Sequence, residues 1–446
     1  IIFDGKGPGE RPLVVVTHGF AGSIQMLQYI SRDLASAGFT VAAFDFYGHG
    51  RNDTRLSSDV TQIEGTTRQL VNQTSAILSA LQDGRDAGAV AMIGHSMATD
   101  IIIRAAEPRD DVSAIVAISM YSEAITPEFP KRLLVISGEW EERLRRVGRE
   151  VVAQLGGAAV EGQTVRQGDV VRRAIYVPRT EHVAVLFARD TLNETRAWVQ
   201  KAYGTAPSGA ALPRGPAILV VLLGLVILSA PVFRLLPRRS HDQSALPRRT
   251  FFLALALPVL PACLAAAKLG GTVLGLASFG SLIWFFGLWG VLSLAVILRS
   301  GQRLQWPDWR GVCLLLIWAL GLFAFALDRY GAAFLPIGSR VTLMLVFILA
   351  CIPFSLADRL LVRGAALWQR VLARIVPIAA LTLCMFAVPE RLGLLFTVLP
   401  VMVLFYVVYG TMARFVALRQ GPETAALALG IILAWSIAAS TPLFIG

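Results

Sequence analysis

The sequence predicts an α/β domain on a doubly wound, mostly parallel sheet, followed by an all-α transmembrane bundle of about eight helices. Three observations predict it. β-type and helical runs alternate through residues 1–203, apolar runs of bilayer-spanning length fill residues 216–446, and the charge divides at the same boundary. Residues 1–215 hold 23 Lys+Arg against 24 Asp+Glu, whereas residues 216–446 hold 18 against 6, so the net charge of +11 belongs to the apolar half. With 55% hydrophobic and 16% charged residues, the chain fits neither a disordered protein nor an ordinary soluble enzyme. A nucleic-acid partner is not expected, because the arginines lie between apolar runs instead of forming one basic face.

In the first half, strands are predicted at 13–16, 40–44, 89–93, 113–118, 133–136 and 174–177, and helices at 26–37, 60–81, 97–107, 141–155 and 183–202. The Gly-, Pro- and Ala-rich stretch at 204–215 reads as a linker between a domain at 1–203 and a membrane domain at 216–446. Spans are expected near 216–233, 251–267, 278–298, 312–327, 341–357, 375–389, 392–413 and 424–444. Gly270, Gly271, Gly275 and Gly280 mark either one long third helix or a re-entrant piece before a shorter one. Cys263, Cys313, Cys351 and Cys384 all fall in apolar runs without metal-type spacing and read as small buried residues. Asp328, Asp358 and Glu390 stand at span ends beside Arg329, Arg359 and Arg391, which reads as interfacial pairing and not as an ion pathway.

Orientation follows from the arginines. Connections after the odd-numbered spans carry 14 Lys+Arg and those after the even-numbered spans carry 4, which assigns the first set to the cytoplasm and residues 1–215 to the opposite side. A translocated domain requires a leader, so a signal peptide or signal-anchor helix is expected upstream of Ile1. Arg outnumbers Lys 37 to 4, a bias suggesting a GC-rich bacterial genome, and the expected location is a bacterial inner membrane with the first domain in the periplasm.

The sharpest local signal is Gly94-His95-Ser96-Met97-Ala98, directly after a predicted strand and at the start of a helix. Small flanking residues let the chain turn sharply there and push the Ser96 hydroxyl out of the sheet edge. His18-Gly19-Phe20 follows the first predicted strand and Asp45-Phe46-Tyr47-Gly48-His49-Gly50-Arg51 the second. Three such motifs after successive strands resemble the α/β-hydrolase superfamily over roughly residues 10–203, although Ala98 stands where its pattern usually has Gly.

The resemblance implies a serine hydrolase. Ser96 would be the nucleophile, and the main-chain N–H groups of Phe20 and Met97 would face the developing oxyanion. His18 and His49 would shape turns, and His95 would pack the elbow, with no metal site. The family order of nucleophile, acid and histidine makes His182 the base, since the other later histidine, His241, falls in an expected cytoplasmic loop. Glu141 would be the acid where the family more often has Asp, with Glu139 and Glu142 as rivals at an acidic helix start. Residues 120–131 leave no room for a lid helix pair, so an open site near a bilayer suggests a lipid substrate.

The expected activity is therefore a membrane-anchored esterase or lipase acting on a lipid or acylated envelope molecule, with the membrane as partner and no cofactor. An acyltransferase or lipid-remodelling enzyme with the same triad is the nearest alternative, and a transporter or scaffold with a non-catalytic hydrolase-like domain is one of another class.

Overall fold

The computed structural model describes residues 1–5, 11–60, 62–83, 88–156, 160–205 and 214–446, without the side chains of Glu390, Arg391 and Leu394. Most of the linker expected at 204–215, and the Glu390–Arg391 pair, lie outside what is described. The chain divides into two compact units, Ile1–Leu219 with Tyr330–Ala333, and Val220–Arg329 with Phe334–Gly446.

The first unit is built on one eight-stranded sheet. Its strands are β1 (Ile2–Phe3), β2 (Leu13–Thr17), β3 (Thr40–Phe44), β4 (Val90–His95), β5 (Val112–Ile118), β6 (Arg132–Gly138), β7 (Thr164–Gln167) and β8 (Val170–Val177), in the order β1-β3-β2-β4-β5-β6-β8-β7. The six central strands run parallel, while β1 and β7 pair antiparallel at the two edges. Runs such as Val14-Val15-Val16 and Leu133-Leu134-Val135-Ile136 suit this position because both faces of a central parallel strand are buried.

The pleat sends alternate residues to opposite cores. Val14, Ile93, Val116 and Ile136 pack with helices α1 (Ile24–Ser36) and α5 (Arg189–Tyr203). Val15, Met92, Ile115 and Val135 pack with α2 (Arg68–Gln82), α3 (Ala98–Ala106) and α4 (Glu142–Ala153). Each fully buried Val, Leu or Ile contributes about 1.5–3 kcal/mol, so the two layers hold the sheet edge rigidly.

The helix expected at 60–81 begins late. Gly65 breaks it, because a Cβ there would stand 2.1 Å from the Asp59 carbonyl oxygen. The helix expected at 183–202 is likewise divided into a single turn, Ala184–Phe187, and α5, with Ala188 extended between them.

Among the described residues eight helices, lying almost wholly in the second unit, are long and apolar enough to cross a membrane: α6 (Gly215–Phe233), α7 (Arg248–Lys268), α8 (Phe279–Arg299), α9 (Trp309–Tyr330), α10 (Ser339–Val362), α11 (Leu367–Ala387), α12 (Leu395–Gln420) and α13 (Pro422–Ser440). Small residues set their closest approaches. A Cβ on Gly290 of α8 would lie 2.3 Å from Phe354 N of α10, and one on Gly430 of α13 would lie 2.7 Å from Ile352 Cα of the same helix. The glycine-rich stretch before α8 is neither a long helix nor a re-entrant one; it is an irregular connection, with residues 270–278 outside any helix.

Two readings of the sequence change here. The sixth span starts at Leu367, not near 375, because Gln369 Oε1 accepts the Ala366 N–H at 3.0 Å and opens the helix earlier; Arg370 and Arg374 are thus helical residues. The cysteines are not uniformly buried, since Cys351 and Cys384 are enclosed, Cys263 is half-buried and Cys313 is exposed.

Candidate active site

All six parallel strands deliver their following loops to one sheet edge, and five of those loops build the site. After β4 the chain enters α3 through Ser96, whose φ of +55° is rare for a residue with a side chain and costs about 1–3 kcal/mol. Local bonds hold it there. Ser96 N–H donates to Ile118 O at 2.9 Å, and Thr99 Oγ1–H donates to Ser96 O at 2.7 Å. Gly94 is required by the turn, since a Cβ would meet the Ala98 carbonyl oxygen at 2.8 Å. The Ala98 methyl group is fully buried without disturbing the turn.

The loop after β8 places His182 over this hydroxyl. Ser96 Oγ lies 2.9 Å from His182 Nε2, and His182 Nδ1 lies 2.5 Å from Glu141 Oε1. With a carboxylate at Nδ1, that nitrogen carries the proton and Nε2 is free to accept the serine hydrogen. The loop after β6 supplies Glu141. Its other oxygen, Oε2, accepts Gly138 N–H at 2.6 Å and Ser119 Oγ–H at 2.8 Å. Burial pushes the Glu141 carboxyl upward, but hydrogen bonds from His182, Gly138 and Ser119 outweigh it and hold its pKa below the ordinary glutamate value.

The rival glutamates point elsewhere. Glu139 Oε2 accepts Arg179 N–H at 2.6 Å, and Glu142 pairs with Arg149 at 2.8 Å. His241, outside the first unit, hydrogen-bonds to the Arg239 carbonyl at 2.9 Å.

The loop after β2 closes the front of the site. A Cβ on Gly19 would stand 2.9 Å from Ser96 Cβ and 3.0 Å from His95 O, so only glycine lets this loop approach so closely, and Phe20 follows it directly. Phe20 and Met97 both remain half-buried on this edge. His18 braces the loop, its Nδ1–H donating to Gly19 O at 2.8 Å and its Nε2 accepting Phe46 N–H at 3.1 Å. Asp45 stands 3.6 Å away, yet desolvation outweighs its attraction and lowers the His18 pKa, so the ring is neutral and its role is to join two turns.

His95 lies beneath His182 with ring centroids 4.8 Å apart, and its Nε2–H donates to the His182 carbonyl at 2.8 Å. Burial, followed by repulsion from His182, drops its pKa to about 4, so it supports the loop as a neutral ring.

Residues 9–177 match the family model described as serine aminopeptidase, S33, one of the hydrolase families. The N-terminal domain has an α/β-hydrolase-like fold on its mostly parallel sheet. No curated protein matches the chain. Among solved structures it is similar to a predicted CIB-like hydrolase from Thermoplasma acidophilum, at 16% identity over 43% of this chain and 89% of that one, with TM-score 0.34. It is also similar to a soluble variant of monoglyceride lipase from Saccharomyces cerevisiae, at 13% identity over 46% and 92% of the two chains, with TM-score 0.35.

The site contains two groups that sequence reasoning overlooks, the Ser119 hydroxyl and the Gly138 N–H. Both immediately follow or end a central strand, the same positional signal that marks Ser96. Gly138 cannot carry a side chain, because a Cβ would meet Thr180 O at 2.7 Å and Glu141 Oε2 at 3.2 Å. No helix forms among residues 119–131, and the chain neighbours of the site include exposed Tyr121, Trp140 and Val183.

Proposed function

We propose that the protein is a membrane-anchored serine hydrolase that cleaves an ester of a lipid or acylated envelope molecule through an acyl-enzyme on Ser96. The observation that carries this reading is the unbroken line Glu141–His182–Ser96, at 2.5 and 2.9 Å, on a strained strand-to-helix turn. Ser96 Oγ attacks the carbonyl carbon as its proton passes to His182 Nε2. Glu141 faces the resulting imidazolium. The N–H groups of Phe20 and Met97 stabilise the oxyanion, each donor contributing about 3 kcal/mol. His182 returns the proton to the departing alcohol oxygen, the ester C–O bond breaks, and water then repeats the sequence on the acyl-serine.

The lipid character of the substrate is supported by the exposed Trp140, Tyr121 and Val183 beside an edge without an inserted lid helix, and by eight helices of spanning length in the same chain. The arginine distribution supports a periplasmic hydrolase domain on a bacterial inner membrane.

The test uses the full chain in detergent with a fluorophosphonate probe, a medium-chain nitrophenyl ester and an aminoacyl nitroanilide. Wild type is expected to label and to hydrolyse the ester in preference to the anilide, with both signals lost in Ser96→Ala. Equal labelling and turnover in Ser96→Ala would overturn the assignment, and preference for the anilide would overturn the ester.

A further inference from the structure

The second unit holds a cleft of about 630 Å³ between α10, α11 and α12, at the end of the bundle where α10 stops and α11 starts. Five arginines line it: Arg359, Arg363, Arg370, Arg374 and Arg414. Among the described residues no carboxylate lines it. Two lie close by. Asp358 stands 3.7 Å from Arg374 Nε rather than pairing with its sequence neighbour Arg359, and Asp242 stands 3.4 Å from Arg363. Arg359, Arg370 and Arg414 form no ion pair among the described residues.

Arg359 and Arg363 are unlike ordinary topology signals, which extend into water, whereas Arg414 is exposed at the rim. Arg359 is 6% exposed, and the side chain of Arg363 8%. Gathering like charges away from water is costly unless an anion joins them. The cleft also holds unmet hydrogen-bonding capacity: Arg359 Nε and Tyr406 Oη are buried without a hydrogen-bond partner, whereas Arg374 Nε faces Asp358 Oδ1 at 3.7 Å. The Arg374 guanidinium lies 5.3 Å from the centre of the Tyr406 ring.

The remaining wall is apolar. Leu367, Val371, Ile375, Val407 and Leu418 line the cleft, and all are exposed, with Leu367 at 76%. A ligand here meets both guanidinium groups and unburied aliphatic side chains. Planar guanidinium groups match the paired oxygens of a phosphate.

We propose that this cleft is a binding site for an anionic phospholipid, its phosphate held by Arg359, Arg370, Arg374 and Arg414 and its acyl chains lying along the Leu367–Ile375 face of α11. The site belongs wholly to the helical unit, so it stands independently of the chemistry at Ser96.

The test is native mass spectrometry of the full chain in dodecyl maltoside, titrated with phosphatidylglycerol, with phosphatidylcholine of the same chains, and with inorganic phosphate. Phosphatidylglycerol is expected to give a single saturable adduct, bound about tenfold more tightly than phosphatidylcholine and not displaced by equimolar phosphate. Arg359→Gln, and separately the rim double variant Arg370→Gln/Arg414→Gln, should each weaken that adduct about tenfold while the fluorophosphonate labelling of Ser96 is retained. The rim variant keeps the experiment decisive should Arg359→Gln fail to fold. Equal affinity for the two lipids, or wild-type binding in the folded variants, would overturn the site. Displacement by equimolar phosphate would overturn its lipid character.

Discussion

Two clusters of buried polar side chains meet opposite fates in this chain. At the sheet edge, both oxygens of Glu141 are taken up by His182, Gly138 and Ser119, and both nitrogens of His182 have partners. In the helical unit, Arg359 Nε and the hydroxyl of Tyr406 are equally buried but have no hydrogen-bond partner. A buried polar atom without a partner forfeits roughly 1–3 kcal/mol, so the difference is not incidental. The first cluster is complete within the protein. The second leaves open the capacity that the proposed lipid phosphate would meet. Polar satisfaction thus distinguishes a site prepared to act from one prepared to bind.

The most direct way to break the first half of that comparison is Glu141→Gln. The amide preserves shape but cannot face an imidazolium, and it offers His182 Nδ1 a donor that favours the wrong tautomer. Ester turnover is expected to fall about 10⁴-fold, with KM nearly unchanged. A loss below about tenfold would mean that Glu141 does not orient His182. Gly19→Ala tests the front of the site. The added methyl group forces the Phe20 main chain away from Ser96, so kcat should fall about 10²- to 10³-fold while fluorophosphonate labelling slows in parallel. An unchanged kcat would remove Phe20 from the oxyanion site.

The contrast between the units also explains what the sequence makes legible. Six central strands are visible because parallel strands buried on both faces are continuous apolar runs. β1 and β7 are not, since the first is only two residues long and the second, Thr164-Val165-Arg166-Gln167, is largely exposed and polar. Ser96 announces itself by the small residues its turn demands. Glu141 does not: three glutamates within four residues share the same chemistry, and only its bonds to His182, Gly138 and Ser119 separate it from Glu139 and Glu142. The arginine cleft is hidden for a different reason. Hydropathy treats Arg370 and Arg374 as an exit from the membrane, whereas the chain folds them into the first turns of α11 and sets Arg374 against Asp358.

His95 sharpens the comparison through pH. Its folded pKa of about 4 lies below the ordinary histidine value near 6.5, so the folded state binds this proton less readily than the unfolded state. Stability therefore falls as pH drops through 6.5 towards 4, by about 3 kcal/mol over the window. His95→Gln retains an N–H for the His182 carbonyl and has nothing to protonate. The loss of unfolding free energy between pH 7 and pH 4.5, measured in urea, should shrink by most of that amount. An unaltered pH slope would show that His95 is not held neutral by its surroundings.

The smallest expected effect isolates one hydrogen bond. Ser119→Ala removes a single donor from Glu141 Oε2 and leaves Gly138 N–H and His182 in place. A hydrogen bond to a charged group contributes about 1.5–3 kcal/mol, so turnover should fall about 10- to 100-fold, far less than with Glu141→Gln. The folded Glu141 pKa lies below its unfolded value, so its ionised form stabilises the fold above the unfolded pKa, and that contribution is lost as pH falls through the folded one. Without Ser119 the folded pKa rises towards the unfolded value, and both stability and ester turnover should begin to fail at a higher pH. A variant that is slowed to that extent but keeps the wild-type acid limb would place Ser119 in the packing of the β5 turn rather than in the charge balance of Glu141.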